Sequence, residues 1–221
     1  MVEEKDEENK LQADMHQLVE LIQKDENNWR AYVDLVNLLA TSENLVEAEE
    51  LGLKSLALFK EDQVAQDNLH YTLGNVYYLA GSYERANEFF QLVTDEQLKY
   101  DAVMMQAQTW YNQQNYQKAL VYALTGTEMP ETDLAGFILL GNIWLSLENM
   151  EQAASAFEQA LSFDENNFDA NFGRGLIATV LKEASNPWFK RAQALDEKHF
   201  EQQAGQLDAL TQIMMGNDTN E

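Results

Sequence analysis

Apolar residues recur at helical spacing along almost the whole chain. In residues 11–23, LQADMHQLVELIQ, four of them fall on one face of a helix: Leu11, Met15, Leu18 and Ile22. The two prolines of the sequence are Pro130 and Pro187. Because proline breaks the interior of a helix, long helices are permitted nearly everywhere else. The pattern therefore predicts a chain built from α-helices.

One of these helical patterns is repeated. The segment YTLGNVYYLAGSYERANEFF (71–90) has the same internal spacing as LLGNIWLSLENMEQAASAFEQAL (139–161). The matching positions are Gly74 and Gly141, Tyr77 and Trp144, Ala86 and Ala153, and Phe90 and Phe157. Weaker copies carry Val36, Ala107 and Gly175 where the first two have glycine. Copies in one register, most of them about 34 residues apart, predict a repeat architecture.

Helix packing explains why these residue types recur. Each copy is expected to form two antiparallel helices, which bury their apolar faces only when neighbouring copies stack on them. A small residue in the first helix, such as Gly74, and the alanine of the second, such as Ala86, let the helices approach closely. Aromatic residues such as Tyr77 and Phe90 fill the remaining space. We therefore expect these aromatic residues to be core.

The pattern resembles the tetratricopeptide (TPR) repeat, written W-x2-L-G-x2-Y…A-x3-F…P. The copies at 67–99 and 134–167 are close matches, and the resemblance covers roughly residues 29 to 198. The proline that ends a TPR repeat is mostly absent, with Pro130 alone near its place. The resemblance implies an all-α fold, a right-handed α-solenoid of helix-turn-helix repeats. Such a chain looks like the small all-TPR cytosolic proteins of bacteria.

The register divides the chain into segments. They are an acidic tail at 1–10, expected to be disordered, a leading half-repeat helix at 11–28, TPR 1 at 29–66, TPR 2 at 67–99, TPR 3 at 100–133, TPR 4 at 134–167, an irregular TPR 5 at 168–198, a C-terminal capping helix at 199–215 and a tail at 216–221. In TPR 5, Pro187 suits a first helical turn, and Ser185 or Asn186 can cap it. One face of the capping helix carries Phe200, Leu207, Leu210 and Met214.

The charge of the chain narrows the choice of partners. Its 38 acidic and 14 basic residues give a net charge of −24. Such a surface repels phosphate backbones and anionic lipid, so neither nucleic acid nor a membrane is an expected partner. No Lys or Arg occurs from Ala119 to Gly173, which predicts a solvated acidic face or a docking surface for a basic partner.

The compartment follows from three further features. The sequence has no cysteine and no apolar run long enough to span a membrane. Its first ten residues, MVEEKDEENK, lack the apolar core of a secretory signal. We therefore expect a cytoplasmic protein.

Nothing in the sequence predicts catalysis, a metal site or a cofactor. The three histidines, His16, His70 and His199, are not at metal-ligand spacing. The segment GRGLIA (173–178) matches a dinucleotide-binding motif, but that motif needs a preceding strand, and here the glycines fall inside a predicted helix. An enzyme, or a regulatory subunit of one, is therefore the minority hypothesis.

The resemblance also implies where a partner binds. In TPR proteins the first helices line a concave surface that holds extended peptides or partner helices. A side-chain amide follows the small residue in four copies, and an amide can both donate to and accept from a peptide backbone. These residues are Asn37, Asn75, Gln108 and Asn142. Mostly apolar or aromatic residues lie one helical turn to either side and complete the predicted groove: Tyr71, Met104, Ile138 and Phe172 before it, and Tyr78, Tyr111 and Leu145 after it. The alternative is that the amides hold neighbouring helices or water, and that the flanking residues are ordinary packing.

The predicted function is a non-catalytic adaptor or scaffold that binds a protein or extended peptide in this groove. TPR domains that hold the acidic C-termini of heat-shock chaperones use Lys and Arg there, whereas the matching places here are Tyr71, Met104 and Ile138. The expected ligand is therefore an uncharged, apolar or basic segment. Two alternatives remain open: an acidic TPR chaperone for an aggregation-prone client, and a self-assembling structural protein that associates weakly through its terminal helices.

Overall fold

The computed structural model describes residues 2–205, with side chains from residue 9 onward. These residues form helices joined by short turns and contain no strand. The helices are α1 (Val2–Lys24), α2 (Trp29–Thr41), α3 (Leu45–Leu58), α4 (Gln63–Leu79), α5 (Tyr83–Gln91), α6 (Glu96–Asn112), α7 (Tyr116–Thr127), α8 (Leu134–Ser146), α9 (Met150–Phe163), α10 (Phe168–Val180) and α11 (Pro187–Leu195). Residues 197–205 are also helical.

The chain divides into two compact units, Met1–Tyr122 and Ala123–Glu221. In the first unit each helix from α1 to α6 contacts the next, and α4 also contacts both α2 and α6. In the second unit α8, α9, α10 and α11 contact one another in succession, and α8 also contacts α10. First helices of neighbouring repeats therefore lie side by side within each unit, and the predicted all-α fold of stacked helix pairs is confirmed.

Side-chain caps fix where the first helix of each repeat begins. The side chain of Asn28 accepts from the backbone N–H of Ala31 at the start of α2, and Asp62 accepts from Ala65 at the start of α4. Asp95, Asp133 and Asn167 cap α6, α8 and α10 in the same way. Such caps satisfy backbone donors that have no partner within the helix. Two of these caps, Asn28 and Asn167, end copies of the same sequence, DENN, at 25–28 and 164–167.

A residue in the left-handed conformation ends the first helix of every repeat. These residues are Glu43, Gly81, Gln114, Glu148 and Lys182, with φ of 62, 69, 58, 59 and 53°. The next residue donates its N–H back into the helix, as from Asn44 to the Leu39 carbonyl and from Asn149 to the Trp144 carbonyl, both at 2.9 Å. This geometry satisfies carbonyls at the helix end. The turns therefore share one register.

Close helix packing depends on the predicted small residues. A Cβ added to Gly74 would lie 2.5 Å from Cε1 of Phe90, a side chain that is only 1% exposed. Phe157 is fully buried, and its ring packs against both Gly141 and Gly173. Since no carbon atom fits at such distances, glycine is what allows these aromatic rings to fill the core. The expectation that Phe90 and Phe157 are core is confirmed.

Several helix limits differ from the predicted segments. α1 reaches back to Val2, where we expected a disordered tail. Glutamate and lysine, which dominate its first turns in the sequence, have high helix propensity, and acidic residues near a helix N-terminus are favourable. α4 begins at Gln63 and α6 at Glu96, each about one turn before the predicted repeat boundary, because the caps lie at Asp62 and Asp95.

The irregular fifth repeat is held by polar contacts. The side chain of Asn186 caps α11 and donates to the Gly175 carbonyl at 2.7 Å. Arg174, 7% exposed, bonds Glu158 at 2.7 Å and Glu183 at 2.9 Å, and its guanidinium lies 3.9 Å from the Trp188 ring centroid. Burial opposes the charge of Arg174, but hydrogen bonds to these carboxylates raise its pKa. These contacts add to the small-residue packing, which the fifth repeat retains at Gly175, where an added Cβ would clash with the Phe189 ring.

The predicted C-terminal helix is only partly described. Its residue Phe200 contacts the rings of Phe172 and Phe189, with centroids 5.7 and 5.3 Å apart. Its remaining predicted face residues, Leu207, Leu210 and Met214, lie outside the described residues. The described part of this helix covers the aromatic end of the second unit.

Candidate functional site

A groove in the first unit brings together three of the predicted partner-binding residues. Asn37 on α2 and Asn75 and Tyr78 on α4 line one cavity of about 340 Å³. The other lining residues are Ala40, Thr41, Leu79 and Met105. We call this cavity the first-unit groove. It follows from the side-by-side placement of α2, α4 and α6, which leaves their solvent-facing side chains next to one another.

The polar groups of this groove are partly linked to one another. The Tyr78 hydroxyl accepts a hydrogen bond from Nδ2 of Asn112 at 2.9 Å. Oδ1 of Asn112 in turn accepts from Nε2 of Gln108 at 2.8 Å. A hydroxyl that accepts retains its own proton for donation. Gln108 and Tyr78 are thus tied together across α4 and α6, and the Tyr78 O–H remains available to a ligand.

Tyr71 is half-buried and does not line the cavity. Its ring centroid lies 5.8 Å from that of Phe90, and the Asn75 side chain hydrogen-bonds its hydroxyl. Burial raises the pKa of Tyr71, the negative charge of Asp101 raises it further, and the bond from Asn75 opposes both. Tyr71 therefore stays neutral at ordinary pH, and Asn75 has a structural bond as well as a place in the groove.

Met104 and Tyr111 are half-buried on α6 and do not line the cavity. The Tyr111 ring packs on Tyr116, with centroids 5.6 Å apart. Met105 takes the place predicted for Met104. Adjacent helical residues point about 100° apart, so an error of one position in the repeat register turns a side chain away from the surface. Thr41 and Leu79, which were not predicted from the sequence, line the cavity together with Ala40 and Tyr78, the residues that directly precede them.

The predicted residues of the second unit are mainly packing residues. Ile138, Asn142 and Leu145 are half-buried on α8, and Ile138 and Leu145 pack against the core around Phe157. Phe172, predicted to line the groove, is only 8% exposed and lies mainly in packing contacts. The reason is the cover that Phe200 and Phe189 provide on its ring.

The described residues offer no assembled metal site: no group of three His, Cys, Asp or Glu side chains lies close enough together. His16 pairs with Glu20 at 3.2 Å on the surface. His70 is half-buried beside Phe89, and burial lowers its pKa. His199 stacks on Phe168 with ring centroids 4.3 Å apart. The segment 173–178 lies within α10, as expected from the repeat register.

The described helices include no candidate membrane span. None of those between residues 2 and 205 combines the length and apolar character needed to cross a bilayer.

Comparison with solved structures gives the fold. YrrB, described as a TPR protein with an unusual peptide-binding site, superposes with a TM-score of 0.63 at 19% identity, over 86% of this chain and 97% of that one. MamA from Desulfovibrio magneticus gives 0.63 at 18% identity, over 80% and 97%. The C-terminal part of a TPR protein from Cytophaga hutchinsonii gives 0.67 at 16% identity, over 86% and 75%.

Sequence comparison adds nothing to this likeness. No family model matches the chain, and no curated protein matches it. The fold assignment therefore rests on the repeat spacing, the helix pairs and the solved structures. Together they show that the chain has the fold of tetratricopeptide-repeat proteins.

Proposed function

We propose that the protein is a non-catalytic adaptor that binds an extended segment of a partner protein in the first-unit groove. The observation that carries the proposal is the cavity shared by Asn37, Asn75 and Tyr78, with Leu79 and Met105 as apolar lining. Amides and a phenol can pair with peptide N–H and C=O groups, while the apolar residues take up a side chain. YrrB, a protein of similar fold, is described as having a peptide-binding site.

The chemistry of the lining sets the kind of segment. No Lys or Arg lines the cavity, and the chain carries a net charge of −24. A ligand that ends in acidic groups would meet no counter-charge and would be repelled. The segment is therefore uncharged, apolar or basic, and the proposed place of action is the cytoplasm.

Two exposed leucines provide a matched test. Leu79 lines the groove and is 52% exposed, whereas Leu92 lies after α5, outside the cavity, and is 51% exposed. Substitution of either by Lys changes charge and exposed apolar area equally. We expect Leu79→Lys to abolish capture of a partner from cytosol and Leu92→Lys to leave capture unchanged, with helicity and melting temperature checked for both.

Other outcomes of this capture have defined meanings. A partner retained equally by wild type, Leu79→Lys and Leu92→Lys would contradict a groove site. Recovery of the chain itself as the sole partner would support the self-assembling structural role instead.

A further inference from the structure

We infer that the first-unit groove takes a proline-rich partner segment in the polyproline II conformation, neutral or basic in charge. This inference rests on the proposed function, because it names the class of segment for the same groove. It is carried by three features of the groove: its helix spacing, its lining and its charges.

The spacing of the helices matches the repeat of polyproline II. α2, α4 and α6 contact one another in order, and packed helices lie about 8–10 Å apart. A polyproline II chain has 3 residues per turn and rises about 3.1 Å per residue, so equivalent residues recur about every 9.3 Å. A β-strand repeats after two residues, or about 6.6–6.8 Å. Of these two extended conformations, polyproline II is the one whose equivalent residues recur at the spacing of successive helices.

The lining matches the chemistry of that conformation. Polyproline II makes no internal hydrogen bonds, and a proline residue has a carbonyl but no N–H. A proline-rich segment therefore needs hydrogen-bond donors from the protein that binds it. Such segments usually bind in grooves lined by aromatic residues. The Tyr78 O–H and the exposed amide of Asn37 can supply such donors. Leu79 and Met105 provide the apolar surface on which a proline ring or aliphatic side chain can lie.

The charges beside the groove favour a basic segment over an acidic one. Asp34 on α2 and Asp101 on α6 are both exposed, each within about one turn of a cavity-lining residue of its helix. Burial is the larger cause of the raised pKa of Tyr71, and the negative charge of Asp101 adds to it; the Tyr71 hydroxyl bonds the cavity-lining Asn75. The cation Arg30 lies at the start of α2, its guanidinium over the Trp29 ring at 4.3 Å. Lysines flanking a proline-rich segment would therefore be attracted.

Three blocked decapeptides test the inference on the full chain. The first has lysines at both ends and three Pro-Pro pairs separated by leucine. The second replaces every proline by glycine, and the third replaces both lysines by glutamate. We expect the glycine peptide to bind about tenfold more weakly or worse, because glycine must be ordered on binding and proline is already ordered. We expect the glutamate peptide to bind more weakly than the first at low salt.

The two leucine variants locate the binding. We expect Leu79→Lys to weaken the lysine-flanked proline peptide by about tenfold or more, and Leu92→Lys to change its affinity by less than about twofold. Backbone amide shifts in wild type should centre on α2 and α4.

Failure of the inference can be told apart from failure of the proposed function. Equal affinity for the proline and glycine peptides, or for the lysine and glutamate peptides, would overturn the inference. So would absence of proline-peptide binding, even if capture of a natural partner still depends on Leu79. If capture of a natural partner still depends on Leu79, the proposed function stands in each of these cases. If capture does not depend on Leu79, the proposed function and the inference are both wrong.

Discussion

Two buried asparagines differ in how their side-chain amides are satisfied. Asn87 on α5 is 3% exposed, and neither its Nδ2 nor its Oδ1 has a hydrogen-bond partner among the described residues. Asn171 on α10 is 1% exposed, but its Nδ2 donates to the carbonyls of Glu165 at 2.9 Å and Asn167 at 2.8 Å. Burial of an unpaired amide costs about 1–3 kcal/mol. Asn87 is therefore a local source of instability.

We predict opposite effects when each of these asparagines is replaced by leucine. Asn87→Leu should raise the free energy of unfolding by about 1 kcal/mol, since it removes an unpaired buried amide. Asn171→Leu should lower it by about 1–3 kcal/mol, since two carbonyls lose their donor. Urea denaturation followed by circular dichroism measures both. A loss of stability in Asn87→Leu comparable to that in Asn171→Leu would mean that a bound water pairs with the Asn87 amide.

The packing role of single residues could be predicted from the sequence where the repeat fixes their neighbours. Phe90 and Phe157 are buried as expected, because the glycines that face them recur at the same spacing. The burial of Phe172 could not be predicted in this way. Its cover includes Phe200, which belongs to a helix outside the repeat pattern. A residue at a repeat position is predictable only as far as its surroundings also repeat.

The turns within the repeats place ordinary residues in a conformation that favours glycine. Glu148, between α8 and α9, has φ of 59°, whereas Gly81 occupies the matching turn between α4 and α5 with φ of 69°. For a residue with a Cβ the left-handed conformation costs about 1–2 kcal/mol. The sequence thus carries a removable strain in the turn at Glu148.

We predict that Glu148→Gly stabilises the protein by about 1 kcal/mol, because the strain of the left-handed residue outweighs the extra freedom of glycine in the unfolded chain. The matched control is Glu151→Gly, which lies in the first turn of α9. There glycine should cost about 0.5–1 kcal/mol through its poor helix propensity. Thermal and urea unfolding of both variants would show the difference. Equal destabilisation by both would indicate that the Glu148 side chain makes a stabilising contact in its turn.

At the scale of whole helices, the sequence predicted the repeat register better than the helix limits. The apolar periodicity of a helix begins only after its polar N-cap. It therefore does not mark the first turn of the helix. α4 and α6 begin directly after Asp62 and Asp95, whose side chains accept from their first backbone N–H groups. Attention to these aspartates would have moved both predicted starts to the observed ones. The groove needed more than the register, since Met105 rather than Met104 lines it.

Charge is the main property of the molecule as a whole that affects its stability. The net charge is −24, and residues 119–173 contain no Lys or Arg. Within this stretch Glu128, Glu131 and Glu151 are all exposed. Like charges at this density repel one another in the folded state, and the repulsion extends over about 30 Å at 0.01 M salt but about 10 Å at 0.1 M. Salt should therefore relieve a repulsion that the fold cannot avoid.

We predict that the melting temperature rises by a few degrees between about 10 and 200 mM sodium chloride, because screening removes more repulsion from the folded state than from the expanded unfolded chain. The triple variant Glu128→Gln, Glu131→Gln, Glu151→Gln should melt higher than wild type at low salt and gain less from added salt. A neutral control, Gln152→Asn with Gln159→Asn, changes two exposed residues of the same stretch without changing charge. If the control and the triple variant respond to salt alike, the repulsion is not centred on residues 119–173. A melting temperature that does not depend on salt in wild type would show that the acidic surface is already balanced by bound cations, because only then does a chain of this net charge gain nothing from screening.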